Sequence, residues 1–145
     1  MLIVVLNGPN LNLLGQREPD IYGTTTLDEI ERLVRDRALA SGTVIEWFQT
    51  NGEGEFVTFI QRIAGRADGF VVNAAAFTHT SMAIRDALLA VGKPFVEAHL
   101  SNIFAREEQR RQSVLADIAL GVVTGFGPAS YLLAMDGLLA HLANR

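Results

Sequence analysis

The sequence predicts an α/β fold in which a five-stranded parallel sheet is doubly wound, with helices on both faces. Three observations predict it. Strand and helix patterns alternate along the chain without a linker, an internal repeat or a low-complexity stretch. The first apolar run is unbroken, as in strands buried on both faces of a parallel sheet. The chain has 145 residues, 49% of them hydrophobic, so residues 1–145 are expected to form one domain with its own core.

Five runs are assigned to the strands. The first, Leu2–Leu6, contains no polar residue. The others are predicted at 43–49, 69–73, from 94–98 onwards and at 121–124. With helices between them, five such strands favour a flavodoxin-like sheet.

The first two helices are predicted from their caps and apolar spacing. Residues Thr26–Glu29 have the form of a capping box, and Gly42 is a stop signal. Between them, apolar residues mark one helical face: Leu27, Ile30, Leu33, Val34 and Ala38. The second helix begins at Glu53, because acidic residues in a first turn suit the helix dipole.

Three more helices are predicted towards the end of the chain. The Thr/Ser cluster 78–81 caps a helix that ends at Gly92. A short charged helix is predicted at about 104–112. The last helix begins with Pro128 at its first position, where the missing N–H costs nothing. Its apolar residues are Leu132, Leu133, Met135, Leu138, Leu139 and Leu142.

Composition excludes several classes of protein. The net charge of −4 and the pI near 5.3 give no basic surface, so no nucleic-acid partner is expected. The absence of cysteine removes disulfides, thiolate catalysis and metal–sulfur sites. No signal peptide is recognisable, and no apolar run approaches the ~20 residues of a membrane span. We therefore expect a cytoplasmic protein without a membrane partner.

The loop at residues 7–23 is the first candidate site. It follows the first strand, and ligands of open α/β sheets bind at the carboxyl ends of strands. It carries amides, an arginine and a tyrosine, with glycines that suit turns and a movable flap. The alternative is a solvated connection, but such connections usually take about 2–6 residues.

More polar residues follow the third and fourth strands. Asn73 ends the third strand and His79 comes shortly after it. Glu97 and His99 stand two apart on the fourth, so their side chains point the same way. A carboxylate that holds one imidazole nitrogen fixes the tautomer of a general acid. One arginine of the run Arg106–Arg111 is a candidate anion or hydroxyl clamp.

Several chemistries lack their motifs. The chain has no phosphate-binding P-loop, no dinucleotide fingerprint and no nucleophile elbow. The residues that remain can transfer protons and stabilise an oxyanion without a cofactor or a metal: a tyrosine, an arginine, a histidine, a glutamate and amides.

At these residues the chain resembles the type II 3-dehydroquinate dehydratases. The similarity lies in short segments in matching order: residues 6–15, 17–19, 22–23, 78–81, 83–88, 97–102 and 106–107. It implies a flavodoxin-like subunit, trimers assembled into a dodecamer, and the shikimate- or quinate-pathway dehydration of 3-dehydroquinate to 3-dehydroshikimate. That reaction passes through an enolate and needs neither metal nor coenzyme.

The resemblance also implies a catalytic set. Tyr22 would remove a C2 proton, and Arg17 would activate it. Asn10 would position the water that stabilises the enolate oxygen. His99, held by Glu97, would protonate the departing C1 hydroxyl.

A substrate-binding set follows from the same resemblance. Asn73, Leu100 and Ser101 would hold the substrate carboxylate. His79 and Arg110 would hold its hydroxyls, and Asp86 would reach the site of a neighbouring subunit.

The chain departs from the family pattern at a few positions. Where the family commonly has Asn-Pro-Gly-Ala, this chain has residues 73–76, Asn-Ala-Ala-Ala. Gly52 and Phe104 replace frequent histidines, and Gln109 a frequent aromatic. The change at Ala74 and Ala75 is expected to affect turnover and fine specificity more than the reaction.

Two alternatives stay open. The same fold could be a binding module that holds flavin or another small molecule at the first loop. The charged helices could instead serve assembly alone.

Overall fold

A computed structural model describes residues 1–16, 18, 20 and 23–145. Five parallel strands form its sheet: β1 (Leu2–Asn7), β2 (Val44–Gln49), β3 (Gly69–Asn73), β4 (Phe95–His99) and β5 (Gly121–Thr124). Their order is β2-β1-β3-β4-β5. This is the flavodoxin-like order, so the predicted fold class is confirmed.

In the part of the chain that the structure describes, four α-helices cover the two faces of the sheet: α1 (Leu27–Ala40), α2 (Glu53–Ile63), α3 (Met82–Val91) and α4 (Ala129–Ala143). Because strand side chains alternate between faces, β1 divides its residues between two cores. Ile3 and Val5 pack with α1 and α4, while Val4 and Leu6 pack with α2 and α3. None of the helices described in residues 1–16, 18, 20 and 23–145 could span a membrane.

Two predicted caps are confirmed. The side chain of Thr26 accepts a hydrogen bond from the Glu29 N–H at 3.2 Å, at the start of α1. Ser81 accepts one from the Ile84 N–H at 3.0 Å, at the start of α3. Gly92 ends α3 at φ 66°, a left-handed conformation that glycine adopts without a steric penalty.

The predicted charged helix at 104–112 is wrong. The chain there forms two separate 3₁₀ turns, Ile103–Ala105 and Glu108–Arg110. Arg106, between them, is extended at φ −96° and ψ −177°. Short helices depend on burying an apolar face, and residues 106–112 have no apolar side chain to bury.

Three smaller predictions also differ. Leu33 was placed on the apolar face of α1, but it is 45% exposed. Leu133 of α4 is exposed as well. Pro128 has helical angles but lies just before α4, which begins at Ala129, a difference of one residue at a boundary.

The ends of β1 and β3 are joined directly. Asn7 and Asn73 are partners in the parallel register, and the Gly8 N–H donates to the Asn73 carbonyl at 2.8 Å. A side-chain carbon at Gly8 would lie 2.2 Å from the Ala74 oxygen, so only glycine permits this approach. The chain turns in opposite directions after β1 and β3, which opens a crevice at this edge.

Candidate active site

A solvent-open cavity lies at the carboxyl edge of the sheet. The loops after β1, β3 and β4 line it and enclose about 680 Å³ of empty space. It brings together seven of the residues predicted from the sequence: Asn10, Asn73, His79, His99, Leu100, Ser101 and Arg110. The sheet edge therefore assembles residues that are far apart in the sequence, as the strand-end argument predicts.

Three other predicted residues are not among these seven. Arg17 and Tyr22 lie outside the residues that the structure describes. Asp86 lies on an exposed part of α3 and does not line the cavity of its own chain.

Glu97 lies behind His99, at the buried end of the cavity. Its side chain is fully buried, and Oε2 accepts a hydrogen bond from Nε2 of His99. Both residues lie on β4, two positions apart, so their side chains leave the same face as predicted. Because the carboxylate accepts, Nε2 carries a proton and Nδ1 is left for the cavity.

Glu97 has a second partner that the sequence argument did not identify. The hydroxyl of Ser113 donates to Oε1 at 2.8 Å. Both oxygens of this buried carboxylate are therefore hydrogen-bonded, as a charge in a protein interior requires.

A buried tyrosine orients Asn73. The Asn73 amide Nδ2 donates to the Tyr131 hydroxyl at 2.9 Å, and that hydroxyl donates to Oδ1 of Asn7 at 2.7 Å. Burial raises the pKa of Tyr131, which keeps it a neutral donor. Tyr131 is a buried core aromatic, and its contact with Asn73 has no local sequence signal because the two residues lie 58 positions apart.

His79 is held by the segment that contains Ser113. Nδ1 of His79 lies 2.6 Å from the Gln112 carbonyl, which can only accept, so Nδ1 is protonated and Nε2 is the acceptor. Val114 donates its N–H to the Thr78 carbonyl at 2.9 Å. The two cavity histidines are thus supported by adjacent residues of one segment.

An exposed ion pair fixes the same segment to α3. Arg85 donates to the Val114 carbonyl at 2.8 Å and to both oxygens of Asp117, at 2.5 and 3.0 Å. These hydrogen bonds raise the pKa of Arg85 and lower that of Asp117. The hydrogen-bonded partner of Arg85 is thus Asp117, which lies 32 residues away.

Two arginines among the described residues line the cavity, Arg106 and Arg110. Nε of Arg110 lies 2.5 Å from Oε1 of Glu107. The pKa of Glu107 is lowered, first by its backbone hydrogen bond and then by Arg110. The predicted anion or hydroxyl clamp thus has two candidates in the cavity, whereas Arg111 does not line it.

The first loop is tied to the end of β2. The Asn10 N–H donates to Oδ1 of Asn51 at 2.9 Å, and Nε2 of Gln49 donates to the Gly8 carbonyl at 3.1 Å. Asn10 itself has φ 69°, a left-handed conformation that asparagine tolerates. These contacts hold the start of the loop, with Asn10, at the cavity.

Ala75 is in a conformation that suits glycine. Its φ is 52°, and it stands where the resembling family commonly has glycine. Left-handed backbone costs an L-residue about 1–2 kcal/mol. Asn73 and His79, on either side, nevertheless both line the cavity.

We expect Ala75→Gly to raise the free energy of unfolding. Relief of about 1–2 kcal/mol of strain exceeds the ~0.5–1 kcal/mol that glycine costs in chain entropy. Urea unfolding at one fixed protein concentration measures the difference. Ala76→Gly is the matched control, because φ of Ala76 is not positive; it should lower stability. If both variants lowered the free energy of unfolding equally, Ala75 would not be strained.

The described side chains at the cavity do not form a metal-binding group. Among the residues that the structure describes, no three His, Asp or Glu side chains are grouped as metal ligands. What the cavity offers is a carboxylate–imidazole pair, an oriented amide, a second imidazole and two guanidinium groups.

Comparison with known proteins gives one result. The family described as dehydroquinase class II matches residues 1–139. A 3-dehydroquinate dehydratase of Parasynechococcus marenigrum is 58% identical over 98% of this chain and 97% of its own length. One from Dinoroseobacter shibae is 51% identical over 98% and 95%.

Solved structures agree. A type II dehydroquinase from Butyrivibrio crossotus superimposes with a TM-score of 0.94 at 39% identity, covering 96% of this chain and 97% of that one. Another, from Propionibacterium acnes, gives 0.91 at 41% identity, covering 96% of each. With matching strand order, cavity and sequence over nearly its whole length, the chain belongs to the class II dehydroquinase family.

Proposed function

We propose that this chain dehydrates 3-dehydroquinate to 3-dehydroshikimate, with Tyr22 as base and His99 as acid and with no metal or coenzyme. The observation that carries the proposal is the buried Glu97–His99 pair at the base of a cavity lined by polar side chains. Family membership supplies the substrate, since the relatives that match almost the whole chain are 3-dehydroquinate dehydratases.

The first step is removal of the C2 proton. The Tyr22 phenolate takes this proton, and the C–H electron pair moves into the C3 carbonyl to give an enolate. Arg17 stabilises the phenolate, and Asn10 positions a water at the enolate oxygen. The left-handed turn at Asn10, held by Asn51, supports that position.

The second step is loss of the C1 hydroxyl. His99 donates its Nδ1 proton to the leaving oxygen as the enolate electrons re-form the carbonyl and create the C1–C2 double bond. Water leaves, and His99 must then be reprotonated as Tyr22 releases the proton taken from C2. Glu97 favours the charged imidazolium that the acid must be before transfer.

Binding uses the remaining cavity groups. One N–H of the Asn73 amide is held by Tyr131, which leaves the other for the substrate carboxylate beside Leu100 and Ser101. His79 presents Nε2 as an acceptor for a substrate hydroxyl, because Nδ1 is bound to Gln112. Arg110 holds another hydroxyl.

The direct test is the absorbance of the conjugated product. On addition of 3-dehydroquinate to purified protein, we expect ultraviolet absorbance to rise as the enone forms. A flat signal together with a thermal shift on adding FMN would favour the flavin-binding module instead. No absorbance change and no bound ligand would favour a role in assembly alone.

A lysine imine is not expected to take part. The chain has one lysine, Lys93, which lies before the amino end of β4, whereas His99 lies at the carboxyl end. Five residues of strand at ~3.3 Å each span roughly 16 Å, beyond a lysine side chain. Lys93→Ala should keep wild-type kcat, and borohydride added with substrate should not inactivate the enzyme. Substrate trapped on Lys93, detected by mass spectrometry, would refute the mechanism.

The working form is proposed to be a dodecamer made of four trimers, with Asp86 reaching a neighbouring cavity. Its exposed position on α3, outside its own cavity, supports this. Sedimentation should show an oligomer at assay concentrations, and Asp86→Ala should lower activity, assembly or both. A monomer with full activity would contradict the assembly, and an Asp86→Ala enzyme unchanged in both would contradict the role of Asp86.

A further inference from the structure

Ser113 lies against the acid–base pair from outside the sheet. It belongs to the strap, the segment of residues 112–117 that connects the last 3₁₀ turn to β5. Glu97 is fully buried on the sheet face that packs with α2 and α3. The Ser113 hydroxyl reaches its Oε1 at 2.8 Å.

The direction of this hydrogen bond is fixed by the other partners of Ser113. The backbone N–H groups of Leu115 and Ala116 both donate to Oγ at 3.1 Å. A hydroxyl has two lone pairs and one proton. With two N–H groups on the oxygen, the proton is left for Glu97, so Ser113 is the donor.

Glu97 then accepts on both oxygens, from Ser113 at Oε1 and from His99 at Oε2. A carboxylate held at both oxygens is fixed in orientation. It therefore keeps the His99 proton on Nε2 and turns Nδ1 to the cavity.

We propose that Ser113 is a positioning residue for His99 that acts through Glu97 and fixes the Nε2-protonated tautomer of the neutral His99 ring. Its effect on rate rests on the function proposed above, whereas its effect on the imidazole does not. Without the hydroxyl, Oε1 of a buried carboxylate loses its donor, and Glu97 reorients or takes up a proton there.

Kinetics give the first test. Ser113→Ala should lower kcat about tenfold, less than the ~10²–10⁴ of a general acid itself, with KM nearly unchanged. Ser113→Thr keeps the hydroxyl and should restore kcat. Asp117→Asn is the matched control, since it weakens the attachment of the strap to Arg85 without touching Glu97; it should keep wild-type kcat.

A double-mutant cycle distinguishes two effects of removing the Ser113 hydroxyl: loss of its hydrogen bond to Glu97 and loss of its hydrogen bonds within the strap. If Ser113 acts through Glu97, Ser113→Ala should change kcat little in a Glu97→Gln background. Full additivity of the two changes would overturn the proposal, because it would place the effect of Ser113 elsewhere in the strap.

Imidazole ¹⁵N spectra test the tautomer without any turnover. The chain has only three histidines, so His99 is assigned by comparison with His99→Ala. The neutral ring should be protonated at Nε2 in the wild type and mixed in Ser113→Ala. A wild-type His99 spectrum in Ser113→Ala would overturn the role of Ser113.

The two proposals fail separately. A wild-type protein inert towards 3-dehydroquinate would refute the function, while the spectra would still decide the role of Ser113. If Ser113→Ala does not fold, Ser113→Cys takes its place, because a thiol is a weak donor. An unchanged His99 spectrum in that variant would equally refute the proposal.

Discussion

Tyr22→Phe is expected to lower kcat at least as far as loss of a positioned base does, about 10²–10⁴-fold, with folding and substrate affinity largely intact. The substitution removes only the ionisable oxygen. A free tyrosine has a pKa of about 10, so roughly 0.1% of it is phenolate at pH 7. The proposed base therefore needs a cation that lowers its pKa, the role assigned to Arg17.

Two measurements check this expectation. Calorimetry on the inactive variant should give a dissociation constant for 3-dehydroquinate close to the wild-type KM. Arg17→Ala should lower kcat in a similar way and move the acidic limb of the pH–rate profile to higher pH, because the phenolate loses its counter-charge. A Tyr22→Phe enzyme that keeps a substantial fraction of the wild-type rate would show that Tyr22 is not the base.

The sheet could be predicted because its strands are short and mostly apolar. The third and fifth strands were predicted at the residues where they occur, and the others within a residue or two. Buried strands and capped amphipathic helices carry local signals. The segment at 104–112 is charged and has no apolar face. A helix was predicted there because the segment contains helix-forming residues, but these residues have nothing to pack against.

The candidate site could be predicted as far as the strand-end rule reaches. It placed Asn73, His79 and His99 at one cavity, although they come from different parts of the chain. It could not identify Tyr131 or Ser113. Their contacts to Asn73 and Glu97 span 58 and 16 residues, and neither carries a local motif. Such support depends on how helices and connecting segments pack over the sheet.

Ala75 shows how a departure from the family pattern is tolerated. The backbone keeps the left-handed turn at φ 52° even though the residue is not glycine. The Ala75 N–H donates to Oδ1 of Asn73 at 3.1 Å, while Tyr131 holds the other end of that amide. These contacts hold Asn73 in place despite the strained backbone at Ala75. We therefore expect Ala75 to affect the stability of the protein more than the reaction.

His99→Ala is expected to lower kcat about 10²–10⁴-fold, the usual contribution of a positioned general acid. KM should change less, because Asn73, His79 and Arg110 remain to hold substrate. The alkaline limb of the pH–kcat profile should disappear, since that limb reports loss of the proton that the acid donates. His141→Ala is the matched control, because His141 is an exposed histidine on α4, away from the cavity.

Glu97→Gln tests whether the acid depends on its partner. The amide keeps the shape of the side chain but removes its charge. The His99 imidazolium then loses the stabilising anion that the fully buried Glu97 carboxylate provides. The loss of kcat should be smaller than that of His99→Ala, because Nδ1 of His99 still faces the leaving hydroxyl. A His99→Ala enzyme with an unchanged pH profile would remove His99 from the mechanism. A Glu97→Gln enzyme as fast as the wild type would instead leave His99 as an acid that needs no carboxylate.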